Sequence, residues 1–211
     1  DNTQNFGSGI QNIQIHELSE SIYFTSSSQE LYSTNISNTS ANSAGITSVN
    51  QFIIEGNSIF ASGNGQIYFG TLDVSNSFTT GSGSPISFPI FSELFYLLIH
   101  PTTNKMHIFS KGNSPKVYIS SDTYDTFNGS TSFIDISPTL TSTSVNWTAF
   151  GIAPDGRFFF GGNNNTNKFL AYSDDSGATY TEFDSTVLGV SGVNFSFSGP
   201  SSSYHVLTAS M

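Results

Sequence analysis

Four times along the chain a short apolar run breaks into a polar turn built on Asp or Asn and resumes at an aromatic residue. The fullest copy is Phe169-Leu170-Ala171-Tyr172-Ser173-Asp174-Asp175-Ser176-Gly177-Ala178-Thr179-Tyr180. The same grammar occurs at Val117–Phe127, around Asp122, and at Ile67–Phe78, around Asp73. A degenerate copy follows Leu31, around Asn35. The Asx positions 35, 73, 122 and 175 are 38, 49 and 53 residues apart. That interval suits about 45 residues per four-stranded repeat unit.

The flanks repeat in step. Each turn is preceded by a short strand pattern at Ile22–Phe24, Ile59–Ala61, Met106–Phe109 and Arg157–Phe160. Each of those follows a more apolar run at Ile13–Ile15, Phe52–Ile54, Leu94–Ile99 and Trp147–Ile152. Tight-turn residues separate the two runs, as in Glu55-Gly56-Asn57, His100-Pro101-Thr102-Thr103-Asn104 and Ala153-Pro154-Asp155-Gly156. No segment shows a helical period. An inner, a middle, a third and an outer strand per unit, repeated in tandem, predict an all-β chain of four-stranded antiparallel blades, a β-propeller. The expected repeats are 10–43, 46–80, 93–136 and 145–185, with a partial unit over 193–211.

Composition agrees. Ser, Thr and Asn supply 79 of the 211 residues, and they favour turns and strands over helix interiors. Hydrophobic residues make up 36% and include 20 Phe, enough for a packed core. Asp1–Phe6 matches Asp73–Phe78 position by position, and Val193–Phe197 with Tyr204–Ala209 matches an inner and a middle strand. The chain is therefore expected to be one propeller domain, or a slice of a larger propeller protein.

The turn pattern Ser-x-Asp-x-Gly-x-Thr-aromatic, complete at Ser173, Asp175, Gly177, Thr179 and Tyr180, resembles the Asp-box, or BNR, repeat. Sialidases, sortilin-type receptor propellers, photosystem assembly factors and some xyloglucanases carry it. Ser120, Asp122, Thr126 and Phe127 match it with Tyr124 in the glycine position; Thr71, Asp73, Ser77 and Phe78 match more loosely. A turn carboxylate can accept backbone N–H bonds and tie the third strand to the fourth, while the aromatic plugs the space between sheets. Asp1, Asn35, Asp73, Asp122 and Asp175 are thus expected to be structural, with Phe78, Phe127 and Tyr180 as plugs.

Sialidases grip the substrate carboxylate with three arginines, for which planar guanidinium groups are suited. This chain has one arginine, Arg157, so sialidase chemistry is disfavoured. A xyloglucanase-like glycosidase needs two opposed carboxylates. Outside the boxes the candidates are Glu17, Glu20, Glu55, Glu93, Asp135, Asp155, Glu182 and Asp184, and no pair stands out. His16, His100, His107 and His205 are scattered without metal-ligand spacing, there is no Cys, and no cofactor motif occurs. Trp147 lies in an inner-strand pattern and reads as core or channel packing.

Five cations against fifteen anions make nucleic acid and anionic membranes poor partners. No apolar run reaches the roughly 20 residues of a membrane span. Low charge with abundant Ser, Thr, Asn and Gly is similar to secreted or cell-surface bacterial Asp-box proteins, some exported by type IX secretion. The expected role is a non-catalytic binding or adhesion module, meeting protein or glycan on a propeller face. Other expected partners are the remainder of a larger parent or the secretion machinery. The alternative is a fragment of a glycoside hydrolase acting on extracellular glycans.

Overall fold

The computed structural model describes residues 10–210 apart from 17–18, 36–40, 73–77, 88–94, 143, 154, 165–166, 185–193 and 198–206. Among the described residues the regular elements are β-strands, arranged as consecutive antiparallel sheets. The first sheet contains β1 (Ile10–His16), β2 (Ser21–Ser26), β3 (Leu31–Asn35) and β4 (Asn42–Ser43) in chain order. The second contains β5 (Gln51–Glu55), β6 (Ser58–Gly63), β7 (Gln66–Leu72) and β8 (Phe78–Thr80). The third contains β10 (Phe95–Ile99), β11 (Lys105–Ser110), β12 (Lys116–Thr123) and β13 (Phe133–Asp135). The fourth contains β14 (Asn146–Ile152), β15 (Phe158–Asn163), β16 (Lys168–Ser173) and β17 (Thr181–Asp184). A two-stranded sheet of β18 (Asn194–Phe197) and β19 (Leu207–Ser210) follows.

Strands adjacent in sequence pair because the connections are tight. Gly56-Asn57 joins Glu55 to its partner Ser58, with Gly56 at φ +55°. Asn64-Gly65 joins Gly63 to Gln66 with φ values of +50° and +70°, the Asn-Gly hairpin turn whose twist matches its strands. Two features depart from the expected repeat. An additional strand, β9 (Ile86–Ser87), pairs with β7 beyond β8. Arg157 precedes β15 rather than opening it.

The chain forms two compact units. The first comprises residues up to Leu97 together with Tyr124–Thr131. Its core sets Tyr23, Leu31, Ile46 and Val49, from the first sheet and the segment after it, against Phe52, Ile54, Ile59, Ala61 and Leu72 of the second. The second unit holds Leu98–Thr123 and the described residues from Ser132 on. Its core is aromatic: Phe109 stacks on Phe150 at 5.3 Å, and Phe160 lies 4.9 Å from Phe150. Trp147 is fully buried, edge-on to Phe160 and Phe169, so its ring packs the core and presents no face to a ligand.

Candidate functional site

The fourth sheet shows how a box closes its turn. Asp175 Oδ1 accepts from the Thr179 amide at 2.8 Å and from Ser173 Oγ at 2.8 Å. Its Oδ2 accepts from Thr179 Oγ1 at 2.6 Å. Ser173 Oγ accepts in turn from the amides of Gly177 (2.8 Å) and Asp175 (3.3 Å). These donors favour the ionised carboxylate, and the bonds from Thr179 and then Ser173 lower the Asp175 pKa to about 2. Gly177 adopts φ +94°, and a Cβ there would lie 3.1 Å from Tyr180 Oη, so glycine is required twice over. Tyr180 packs edge-on against Phe160 at 5.3 Å. Its hydroxyl is buried with no partner, and burial raises its pKa well above the usual phenol value.

The other boxes depart from this geometry. In the third sheet β12 runs on to Thr123, so Asp122 stands in the strand instead of in a turn. Its carboxylate accepts from Ser121 Oγ at 3.2 Å, and Ser120 Oγ bonds its backbone carbonyl at 2.6 Å. The physical reason lies at the position Gly177 holds in the complete box. Tyr124 stands there, and a side chain disfavours the positive φ that turns the chain. The turn comes later and is organised by Asn128, which accepts from the Ser130 amide at 2.8 Å and donates to the Thr126 carbonyl at 3.0 Å. Phe127 still reaches an inter-strand position, edge-on to Phe60 and Phe69 at 5.1 Å each. Asn35 ends β3 and donates to the Ser19 carbonyl at 3.3 Å. Phe78 opens β8 and packs against the first unit's core. Asp1 and Asp73 lie outside the described residues.

The carboxylates outside the boxes are scattered, and several of them hold loops. Glu182 on β17 accepts from the amides of Thr141 and Ser142 and from Thr141 Oγ1. Burial pulls its pKa up, but the bonds from Ser142 and Thr141 prevail and hold it below the usual range. Asp135 accepts from the Ser137 amide at 2.8 Å and lies 3.9 Å from Lys116. Burial opposes its ionisation, yet the Ser137 bonds and the Lys116 charge keep its pKa low. Asp155 pairs with Arg157 at 2.6 Å, and that guanidinium holds it ionised. Glu55 flanks the Gly56-Asn57 turn, and burial pushes its carboxyl up. Glu20 adopts φ +50° in the β1–β2 connection. Asp184 ends β17 opposite Phe169; Glu17, Glu93 and His205 lie outside the described residues.

Two groups of residues escaped the reading of the sequence. Gln14 and Gln51 stand in inner strands, and each amide bonds the main chain of the next inner strand. Gln14 Nε2 donates to the Phe52 carbonyl at 2.7 Å and its Oε1 accepts from the Ile54 amide at 2.8 Å. Gln51 bonds both the carbonyl (3.1 Å) and the amide (2.7 Å) of Leu97. The available signal was a planar amide alternating with aliphatics in Ile13-Gln14-Ile15. The second group is a buried pair in the second unit. The rings of His100 and His107 lie 5.4 Å apart, with Phe158 at 5.2 Å from His107. His100 Nδ1 accepts from the amides of Thr102 and Thr103, which fixes the tautomer. His107 Nδ1 faces the Lys105 carbonyl at 3.3 Å, and its Nε2 is buried without a partner. Desolvation, then the charge of His100, lowers the His107 pKa to about 3. Among the described residues no group of three or more His, Cys, Asp or Glu could hold a metal ion.

No protein-family model matches the chain, and no curated protein does. Solved structures do. A virginiamycin B lyase from Staphylococcus aureus, in a catalytically inactive form with quinupristin, aligns at TM-score 0.56 and 13% identity. The alignment covers 84% of this chain and 56% of the lyase. YCF48 bound to a D1 peptide aligns at TM-score 0.54 and 14% identity, over 84% of this chain and 53% of that one. The GH74 xyloglucanase from Xanthomonas campestris aligns at TM-score 0.52 and 10% identity, over 82% and 29%. The chain thus has a β-propeller-like fold and spans about half the length of the first two. At these identities the likeness extends to the fold alone.

Proposed function

We propose that the chain is a non-catalytic propeller module of a secreted or cell-surface protein, binding protein or glycan through the loops that join its strands. One observation carries this reading: Glu182, Asp135 and Asp155 are each occupied in fixing a loop and are held ionised. A glycosidase acid must hold its proton near neutral pH, and its pKa is raised for that purpose. Three low-pKa carboxylates bonded to neighbouring amides or to a cation are unsuited to the general-acid role, and their oxygens are already engaged in holding loops. The loops they hold are the kind of rigidly mounted surface on which propellers bind ligands. The boxes, on this reading, support stability and contact no ligand.

The alternative, a glycoside hydrolase fragment, rests on Glu55, whose carboxyl burial pushes toward a general acid. The deciding experiment is a glycan and protein partner screen run beside a panel of glycosidase substrates. Binding without turnover is the expected result. Turnover that vanishes in Glu55→Gln, Asp135→Asn or Glu93→Gln overturns the non-catalytic reading.

A further inference from the structure

The connection between β12 and β13 does not fold with the strands it joins. Tyr124–Thr131 belongs to the first unit, while β12 and β13 belong to the second. Among the described residues the chain therefore passes between the units at three points, after Leu97, Thr123 and Thr131. The seat of the segment is made by the additional strand β9. Gly70 pairs with Thr80 in β8 and Ile67 with Ile86 in β9. The residues Gly81–Pro85 thus stand opposite only Tyr68 and Phe69, and the surplus bows out from the sheet edge. Phe69 fixes the bow at both ends: its carbonyl accepts from the Gly81 amide at 2.9 Å, and its amide donates to Ser84 Oγ at 3.0 Å. Gly129 sits in this bow, its amide donating to the Ser82 carbonyl at 2.9 Å. A Cβ on Gly129 would lie 2.6 Å from Gly83 Cα, and one on Gly83 would lie 2.5 Å from Gly129 Cα. The two main chains cross with no space for a side chain on either.

We infer that Tyr124–Thr131 is a clasp, a preformed hook whose closure makes the two units unfold as one and whose release leaves each unit folded by itself. Its base is held on the second unit's strands, where the Ser121 amide donates to the Ser132 carbonyl at 2.8 Å and the Ser132 amide to Ser121 Oγ at 3.2 Å. Its tip is closed on itself. The Asn128 amide donates to Thr131 Oγ1 at 3.0 Å, the Thr131 amide to the Asn128 carbonyl at 2.9 Å, and the Asn128 side chain binds the Ser130 amide and the Thr126 carbonyl. The hook can therefore leave its seat and return without unravelling β12 or β13. What holds it down is small in extent. Phe127 enters between the buried rings of Phe60 and Phe69, Gly129 enters the bow, and Asp125, Thr126, Asn128 and Ser130 stay exposed. Joining β12 to β13 requires only a turn; the interrupted outer strand and the glycine pair serve the crossing. The inference stands whether the chain binds or catalyses.

Gly129→Val tests the clasp. Gly129 lies outside the left-handed region, so valine there strains the crossing rather than its own backbone. Ser130→Val is the control, the same side chain one residue along at an exposed position outside the crossing. Two readouts are taken. Urea unfolding is followed by far-ultraviolet circular dichroism, which reports both units, and by the fluorescence of Trp147, which reports the second. Native-state chymotrypsin cleavage after Phe127 reports release of the hook. In the wild type and in Ser130→Val the two unfolding curves should coincide. In Gly129→Val their midpoints should separate, and cleavage after Phe127 should quicken on the order of tenfold or more. Should Gly129→Val not fold, Phe127→Ala, which empties the slot between Phe60 and Phe69, is read by the same criteria. Coincident curves in the clasp variants overturn the inference, whether or not cleavage quickens. So do curves that already separate in the wild type, or that separate equally in Ser130→Val.

Discussion

Lowering the pH from 7 to 5 should weaken the second unit through one buried ring. His107 is fully buried among His100, Phe158 and the β11 backbone, with a folded pKa of about 3 against 6.5 for the free side chain. As pH falls through 6.5 the unfolded chain takes up a proton that the folded chain refuses. The unfolded state then binds more protons, so stability falls with pH across the window from 6.5 to 3. Between pH 7 and 5 the unfolded imidazole passes from about a quarter to almost fully protonated, which favours unfolding by about 2 kcal/mol. The figure is set by the unfolded chain as long as the buried ring stays neutral at pH 5. Continued to pH 3, where the buried ring itself begins to take up the proton, the loss reaches about 4 kcal/mol, a large part of the whole stability of many domains. His100, also pushed down by burial, adds to the same slope. The assay is urea unfolding at pH 7, 6 and 5, followed by the fluorescence of Trp147, the single tryptophan and itself buried in this unit. His107→Leu should keep its packing against Phe158 and lose about 2 kcal/mol less than the wild type over the same interval. Identical pH slopes in the two proteins refute the argument.

Four further outcomes follow from the same contacts. Gln51→Leu strips the Leu97 amide and carbonyl of their partner and should cost about 1–3 kcal/mol in denaturant unfolding; Gln51→Glu should cost at least as much, because a buried carboxylate accepts from the Leu97 amide but cannot donate to its carbonyl. Tyr180→Phe removes a buried hydroxyl that has no partner and should stabilise the chain by about 1 kcal/mol; a destabilised variant would mean that the hydroxyl is bonded. Gly177→Ala forces a side chain to φ +94° beside Tyr180 and should cost about 1–3 kcal/mol by thermal unfolding. Asp175→Ala should lower the melting temperature at pH 7 and leave ligand affinity of the folded protein unchanged. Because the Asp175 pKa is depressed to about 2, the gap between variant and wild type should persist above pH 4 and close as pH falls toward 2.

The rhythm of the strands was legible because it rests on local signals. Alternating apolar runs, Gly56-Asn57 and the turn after Ser173 each specify a hairpin from a few neighbouring residues. The box at Asp122 was misplaced because its residue types match while one backbone requirement does not. Tyr124 occupies the site where the complete box needs glycine, and the strand continues through the expected turn. The loop-holding carboxylates were hidden for a different reason. Glu182 meets Thr141 and Ser142 from 40 residues away, and spacing along the chain carries no trace of that contact. The pair of His100 and His107 likewise needs Phe158, brought from another sheet, to become a buried site.

Gln14 and Gln51 address peptide groups, which every residue carries alike. A clamp of this kind constrains the side that reaches and leaves the receiving strand's side chains free to change. Duplicated units joined in this way can drift apart in sequence while their spacing endures. Selection would then act on the glutamines, the turn glycines and the total apolar volume, and only weakly on the identity of each neighbouring side chain. A repeat with such joints would be expected to erode into cadence, recognisable by rhythm long after its residues have ceased to align.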